Sequence, residues 1–444
     1  MKKLLFLILI VTLILNIQAR SSWKLIHDSE TVASYTDIHC LDNMNCLCVG
    51  NGGPLLSHVL ITSDGGNTWE VYRDDKTLQV FVPRKLTIIP PITNIHYLTN
   101  ETIIAGFQGG CLVETTKNTL SWNGRFMNTD NNILDIEFID NQKGAAFAYK
   151  GIYLTEDAGK KWKEVTSKLN IPQYQLDMRY LSVPDDGSIH IAGYTYDEEI
   201  KILHLRSTDF GNTWESFQFK NFDALEKVTG ISFIDKNVGW MTGYQLLSEE
   251  PKTYNKVIYR TNDGGQSWEL QLDNSSDPNQ YLNGIYFAEL NDGIAWGSGG
   301  IIWRTNNGGI DWIQDESAPF DESYRFRSLT FPEKHTRKIM AVTTELNRIW
   351  MYDASTSAEY SKDVSEISIY PNPADDVLNI YSEEFSGSRG RIVISDLTGR
   401  IITDKTVMFG DIHQINVEYL SSGSYLLSIY CEEKVVNKPF VIVK

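Results

Sequence analysis

One short pattern recurs along the first three quarters of the chain and limits what it can fold into: Thr or Ser, any residue, Asp, any residue, Gly, two residues, Trp. It stands as TSDGGNTW at Thr62 to Trp69, TEDAGKKW at Thr155 to Trp162, STDFGNTW at Ser207 to Trp214 and TNDGGQSW at Thr261 to Trp268. A fifth copy, TNNGGIDW at Thr305 to Trp312, has Asn307 in place of Asp, and a sixth, TTKNTLSW at Thr115 to Trp122, keeps only its two ends. The copies follow one another at roughly 40–50 residues, the length of one four-stranded propeller blade. Within the motif the Asp carboxylate accepts amides of a tight turn, Gly takes backbone angles other residues resist, and Trp packs away from solvent. Asp64, Trp69, Asp157, Trp162, Asp209, Trp214, Asp263, Trp268, Asn307 and Trp312 are therefore read as hairpin staples rather than as catalytic groups.

Short strands surround each copy. VTGISFID, VGWMTGY, KVIYRTND and SWELQL run between Val228 and Leu272, and LNGIYFAE, GIAWGSG, IIWRTNN and DWIQ repeat the order. Their alternation between Gly, Asn and Asp breaks fits antiparallel strands. RFRSLTF, KIMAVTT and RIWMYD, from Arg325 to Asp353, supply three strands of a further blade, with Asp353 where a box would place its Asp. SWKLI, with Trp23, has no strands before it, so it is expected to supply the missing outer strand and close the ring, which hides sheet edges. The fold class is all-β: a seven-bladed β-propeller over residues 21–354, with six or eight blades as the alternatives.

These copies, especially GIAWGSGGIIWRTNNGGIDW, resemble the Asp-box (BNR-repeat) propellers, and among them the photosystem II assembly and stability factor-like family, whose propellers bind other proteins without catalysis. Asp boxes also occur in sialidases, xyloglucanases and sortilin-type receptors, so the resemblance speaks for fold more than for function. The Arg-Ile-Pro motif of sialidases is absent, and Val82-Pro83-Arg84 has the wrong order. Arg206, Arg260 and Arg304 stand beside the boxes, where a solvated or inter-blade role is expected. Xyloglucanases normally frame a cleft with two propellers, and this chain has room for one.

The ends carry their own signals. Lys2 and Lys3, an apolar run from Leu4 to Leu15 and a polar stretch to Ala19 have the layout of a signal peptide over residues 1–20. The run is short for a bilayer span and no second one follows, so no transmembrane segment is expected after cleavage. With 40 basic and 57 acidic residues, a formal charge of −17 makes nucleic acid an unsuitable partner. Five cysteines, Cys40, Cys46, Cys48, Cys111 and Cys431, are too few for a disulfide framework. A bridge from Cys40 to Cys46 or Cys48, a metal site with His39, and buried thiols are the open readings. The eight histidines show no metal spacing, and no metal, cofactor or catalytic residue is assigned.

After a polar linker at 355–366 the composition changes. ISIYPNPADDVLNIYS, GRIVISDLTGRIITDKTV, HQINVEYLSSGSYLLSIY and KVVNKPFVIVK read as strands of a small immunoglobulin-like β-sandwich at 367–444. This segment resembles the type A C-terminal sorting domain of the Bacteroidetes type IX secretion system. Tyr370, Pro371, Asn372 and Pro373 open it, Gly399 lies in its DLTGR stretch, Gly423 and Tyr425 in its SSGSY stretch, and Lys444 ends it. The resemblance implies contact with that secretion machinery, passage across the outer membrane, and release or attachment at the cell surface.

Propellers usually meet ligands on loops joining the second strand to the third and one blade to the next. Two insertions stand out: Tyr194, Tyr196, Glu198 and Glu199 in blade four, and Tyr244, Glu249, Glu250 and Tyr254 in blade five. Such groups can stack on sugars or form a protein-binding patch; the plainer reading has the glutamates solvating loops and the tyrosines packing on their own blades. Arg73 to Pro91 is a further long loop. Three functions follow: an exported or surface propeller binding a protein or glycan, a carbohydrate-active enzyme of glycoside hydrolase or sialidase-like type, and a scaffold in an outer-membrane assembly. An enzyme needs a deep axial pocket with converging acids, and a binder a shallower aromatic patch.

Overall fold

The boxes fold as their chemistry requires. Asp64 Oδ1 accepts the Thr68 amide at 2.9 Å and the Thr62 hydroxyl at 2.8 Å, and Oδ2 accepts Thr68 Oγ1 at 2.6 Å. Asp209 and Asp263 repeat the set. Asn307 preserves it: its side-chain oxygen accepts from Thr305 Oγ1 and the Asp311 amide, and its amide group donates to Asp311 at 2.9 Å. The second glycine of a box both takes a positive φ and faces the preceding blade; a Cβ on Gly66 would lie 2.8 Å from Ile26 Cδ1.

The computed structural model describes residues 23–444 except 29–33, 52–56, 74–91, 100, 108–109, 117–122, 128–131, 149–150, 197, 220–224, 276–279, 316–317, 319, 321–322, 333–337, 344–347, 354–367, 371–373, 382–387, 397–399, 411 and 432–433. The expected signal peptide and linker, the core of the degenerate box at 117–122, the loop at 74–91, Pro371, Asn372, Pro373 and Gly399 lie outside the described residues. Of Tyr370 only the backbone is described.

Two units divide the chain, Arg20–Ala354 and a C-terminal one from Ser355. In the first, the described residues form seven four-stranded antiparallel sheets, six of them meanders of consecutive strands and the seventh completed by a strand from the start of the chain. The inner strands are Ser34–Cys40, Ile92–Tyr97, Ile133–Phe138, Leu176–Ser182, Lys227–Phe233, Leu282–Phe287 and Phe326–Thr330 for blades one to seven. Each touches the next, and the seventh touches the first, so the ring is closed. Trp23–Asp28 pairs antiparallel with Arg348–Asp353 as the outer strand of blade seven, and Trp23 is buried against Phe320, Phe326 and Tyr352. Asp353 differs from expectation. Counted from the first inner pair of each blade (Val228 with Gly243, Phe326 with Thr343), the register that the box Thr holds in blade five (Gly239 with Thr261) falls to Tyr352 paired with Ile339, so Asp353 lies one place before a box Asp.

Every inner strand carries a β-bulge, at Thr36, Thr93, Leu134, Arg179, Thr229, Asn283 and Arg327. A bulge re-aims the side chains around it, and here it sits where each strand turns toward an axial cavity of about 1590 Å³. Beside that cavity Cys40 is bonded to Cys46 across the first hairpin, while Cys48 is a buried free thiol.

The C-terminal unit is a sandwich. One sheet holds Ser368–Tyr370, Val377–Tyr381 and Ile412–Asn416; the other holds Ile401–Met408, Arg389–Asp396, Gly423–Cys431 and Lys434–Ile442. Leu378, Ile380, Ile392, Ile394, Leu427 and Phe440 form its own core. Tyr425 donates its hydroxyl to Ser421 O at 2.9 Å, and the Lys444 ammonium donates to Glu418 O. Among the described residues no helix is long and apolar enough to cross a membrane.

Candidate functional site

Beyond each bulge, alternate residues of the inner strands face the cavity. The first such positions are Asp37, Asn94, Asp135, Tyr180, Gly230, Gly284 and Ser328, and the next include His39, His96, Glu137, Ser182, Ser232 and Tyr286. Their polar atoms join neighbouring blades. The Ile95 amide donates to Asp37 Oδ2 at 3.0 Å, the Tyr97 amide to His39 Nδ1 at 3.2 Å, and the Val183 amide to Glu137 Oε2 at 2.6 Å. Ser182 and Ser232 accept the Phe233 and Phe287 amides, both at 2.9 Å. Ser328 donates to Asp37 Oδ1 at 2.8 Å, closing blade seven on blade one. Sequence reasoning passed over these pins; the signal was a polar residue in matching register, as in TDIHC, TNIHY and LDIEF.

Burial pushes Asp37 up to about 6, and pushes Asp135 up as well with the Asp37 charge adding to it. A folded-state pKa above the unfolded value near ~4 gives stability that is fully present below that value and lost as pH rises through the folded pKa. The buried histidines act in the opposite sense: burial lowers His39 to about 4 and His204 to about 3, so their contribution is present above ~6.5 and lost as pH falls. Asp135→Asn removes one carboxyl and leaves the histidines. Its stability relative to the unsubstituted protein is expected to rise steadily between about pH 4 and about pH 8 in denaturant titrations. A difference independent of pH would contradict the buried acid.

One end of the cavity is cationic and aromatic. Arg179, Arg325 and Arg327 line it and are exposed. Arg179 is fixed by the buried Asp177 at 2.7 Å. Trp296 reaches the wall over Gly284, where a Cβ would fall on its ring. Rings crowd the far end, with His39 4.0 Å from His96 and Tyr286 stacked 4.4 Å from Phe331.

Beside the cationic end stands the long hairpin of Gly239–Glu249 and Lys252–Thr261. Tyr244 pairs with Lys227, the first residue of inner strand five. Tyr244, Tyr254 and Tyr281 form a triangle with ring centroids 5.1, 5.5 and 5.4 Å apart. Tyr281, which opens blade six and lines the cavity, was not singled out in the sequence because it lies outside both insertions. Tyr196 is half exposed and donates to Asp177 Oδ2 at 3.0 Å, so it braces Arg179. Tyr194 is a correction: it is buried in the core of blades four and five, accepting the Val228 amide at 2.7 Å, because every other residue of its strand before Tyr196 is buried too. Glu198, Glu199, Glu249 and Glu250 are exposed at hairpin tips. The tyrosines of blade five thus gather on Tyr281 at the cavity's edge, whereas none of the four glutamates lines the cavity. Arg206 reaches Asp263 O and Arg260 reaches Gly308 O in the following blade, an inter-blade role.

Comparison with known proteins agrees with this architecture. Residues 368–443 match the family model of the secretion system C-terminal sorting domain, and residues 150–280 that of sortilin, neurotensin receptor 3. Over 199 residues the chain is 25% identical to the photosystem II assembly lipoprotein Ycf48 of Synechococcus sp. (strain CC9902), covering 43% of this chain and 54% of that one. Over 259 residues it is 24% identical to xyloglucanase Xgh74A of Acetivibrio thermocellus, covering 50% of this chain and 29% of the enzyme. The chain thus spans about half, or less, of the curated relatives it matches. The solved structure of YCF48 bound to D1 peptide gives a TM-score of 0.54 at 15% identity, covering 75% of this chain and 97% of that one. PorZ, a surface component of the type IX secretion system of Porphyromonas gingivalis, gives 0.52 at 12%, covering 95% and 61%. An Asp-box propeller and a sorting domain are joined in one chain, and the sorting domain marks it for export, secreted or at the cell surface.

Proposed function

We propose that this exported propeller is a binding module that holds a glycan or protein ligand at the arginine- and tyrosine-bearing mouth of its axial cavity and performs no chemistry on it. One observation carries the reading: Asp37, Asp135 and Glu137, three of the carboxyls that line the cavity, each accept backbone amides of the blades. Asp37 uses both oxygens on Ile38 N, Ile95 N and Ser328 Oγ, and Glu137 accepts the Val183 amide. A glycosidase needs one acid to hold a proton for the leaving group and a second poised on the sugar or on water.

The enzyme remains the second reading, favoured by the two buried carboxyls with raised pKa on Asp37 and Asp135 and by the stretch similar to a xyloglucanase. Incubating the full chain with an oligosaccharide array, followed by mass spectrometry of the retained sugars, separates the two. Retention of intact sugars or of added peptides is the expected result. Shortened products that vanish in Asp37→Asn or Asp135→Asn would establish the enzyme.

A further inference from the structure

We infer that the ligand at this mouth is an acidic saccharide, its carboxylate taken by Arg179 and Arg327 and its sugar face by the tyrosine triangle; this rests on the binding reading above. The chain carries a formal charge of −17, and against that acidic background the exposed Arg179, Arg325 and Arg327 put cationic groups on the wall of a concave cavity, where an anion can be drawn to them. Two of these arginines have a structural origin. The bulge position is Thr in blades one, two and five, but Arg179 in blade four and Arg327 in blade seven.

Both arginines line the same cavity, Arg179 from blade four and Arg327 from blade seven, and both are exposed. Arg179 is oriented by Asp177, and Tyr196 donates to Oδ2 of the same carboxylate, so the guanidinium stays aimed while half of its side chain remains exposed. Planar guanidinium groups recognise carboxylates through paired N–H donors.

Tyr281 connects this charge to an aromatic platform, since it lines the cavity and contacts both Tyr244 and Tyr254. Edge-to-face tyrosines offer flat apolar faces with hydroxyls at their rims, which suits a ring that is apolar on its faces and polar at its edge. A peptide strand is less well served. The inner-strand amides of Ile95, Tyr97, Val183, Phe233 and Phe287 are already taken by side chains of the adjoining blade, and the wall offers few backbone groups for strand addition.

The test uses the full chain and short oligogalacturonate, oligoglucuronate and oligomannuronate as probes, each beside its methyl ester, with neutral xyloglucan oligosaccharides and a peptide library for comparison. At least one uronate is expected to bind, its methyl ester about tenfold or more weakly, and its affinity to fall with added salt. Arg327→Gln is expected to cost about tenfold or more with melting unchanged, Arg327→Lys less, and Tyr281→Ala to weaken acid and ester alike. Arg179→Gln leaves buried Asp177 without its cation, so Arg327→Gln is the cleaner variant. Equal binding of acid and ester, or affinity unmoved by Arg327→Gln, would overturn the acidic saccharide while leaving a binding propeller. Silence toward every uronate with capture of a peptide at the same mouth would overturn it too; silence toward every probe would bring down the binding reading with it.

Discussion

A chain ending at Glu366, without Ile367 to Lys444, is expected to vanish from the cell surface and the medium and to accumulate folded within the cell envelope. The expectation follows from where the apolar cores lie. The C-terminal unit has a core made wholly of its own residues, among them Leu378, Ile394, Leu427 and Phe440. The blades are closed by theirs, including the Trp23 strand at the ring junction. Truncation therefore removes the address and leaves the apolar cores of the blades intact. Cell fractionation with immunoblotting reads the location, and a melting curve of the retained protein separates misdirection from misfolding. Secretion of the truncated chain at the original level would show that residues 368–443 do not direct export, despite their match to a sorting domain.

Trp240→Ala is the second large effect, expected to cost about 3–5 kcal/mol of stability. Trp240 is fully buried and stacks on Phe287 of the next inner strand, with ring centroids 3.4 Å apart and planes 5° from parallel. Its Nε1 donates to Gly308 O in the blade-six box at 3.2 Å, and the Arg260 guanidinium lies 5.4 Å above its ring while reaching the same carbonyl. Removing the indole opens a void between blades five and six and strips a hydrogen bond from a box turn, so the transfer and cavity costs add. Ile313→Ala is the control, since Ile313 is 70% exposed on an outer strand and should change stability by less than about 0.5 kcal/mol. Chemical denaturation of both variants checks the contrast; similar losses would mean that the blade interface does not depend on this indole.

How much of the molecule could be read beforehand depends on how local each signal is. The boxes were legible because Thr62, Asp64, Gly66 and Thr68 satisfy one another within a few residues. Closure by Trp23 was legible because a blade short of one strand leaves an edge that must be covered. The cavity pins were not, since Asp37 finds Ile95 and Glu137 finds Val183 only after separate blades have come together. Arg179 and Arg327 were hidden by the bulges, which add a residue to each inner strand and break the simple alternation that would otherwise say which side chains face inward. Two corners of the tyrosine triangle, Tyr244 and Tyr254, were visible in the blade-five insertion; Tyr281 joins them from the next blade. Tyr194 looked like a loop residue from composition, yet its strand continues through Tyr196 and its hydroxyl is tied to Val228.

The most direct test of the ligand-binding mouth is hydrogen exchange on the intact protein, with and without a probe that it retains. Protection concentrated in Gly239–Thr261, around Tyr281 and at the Arg179 and Arg325–Arg327 bulges is the result expected here. Protection confined to the far end of the cavity, near Pro184 and Pro332, or to the outer strands would contradict it.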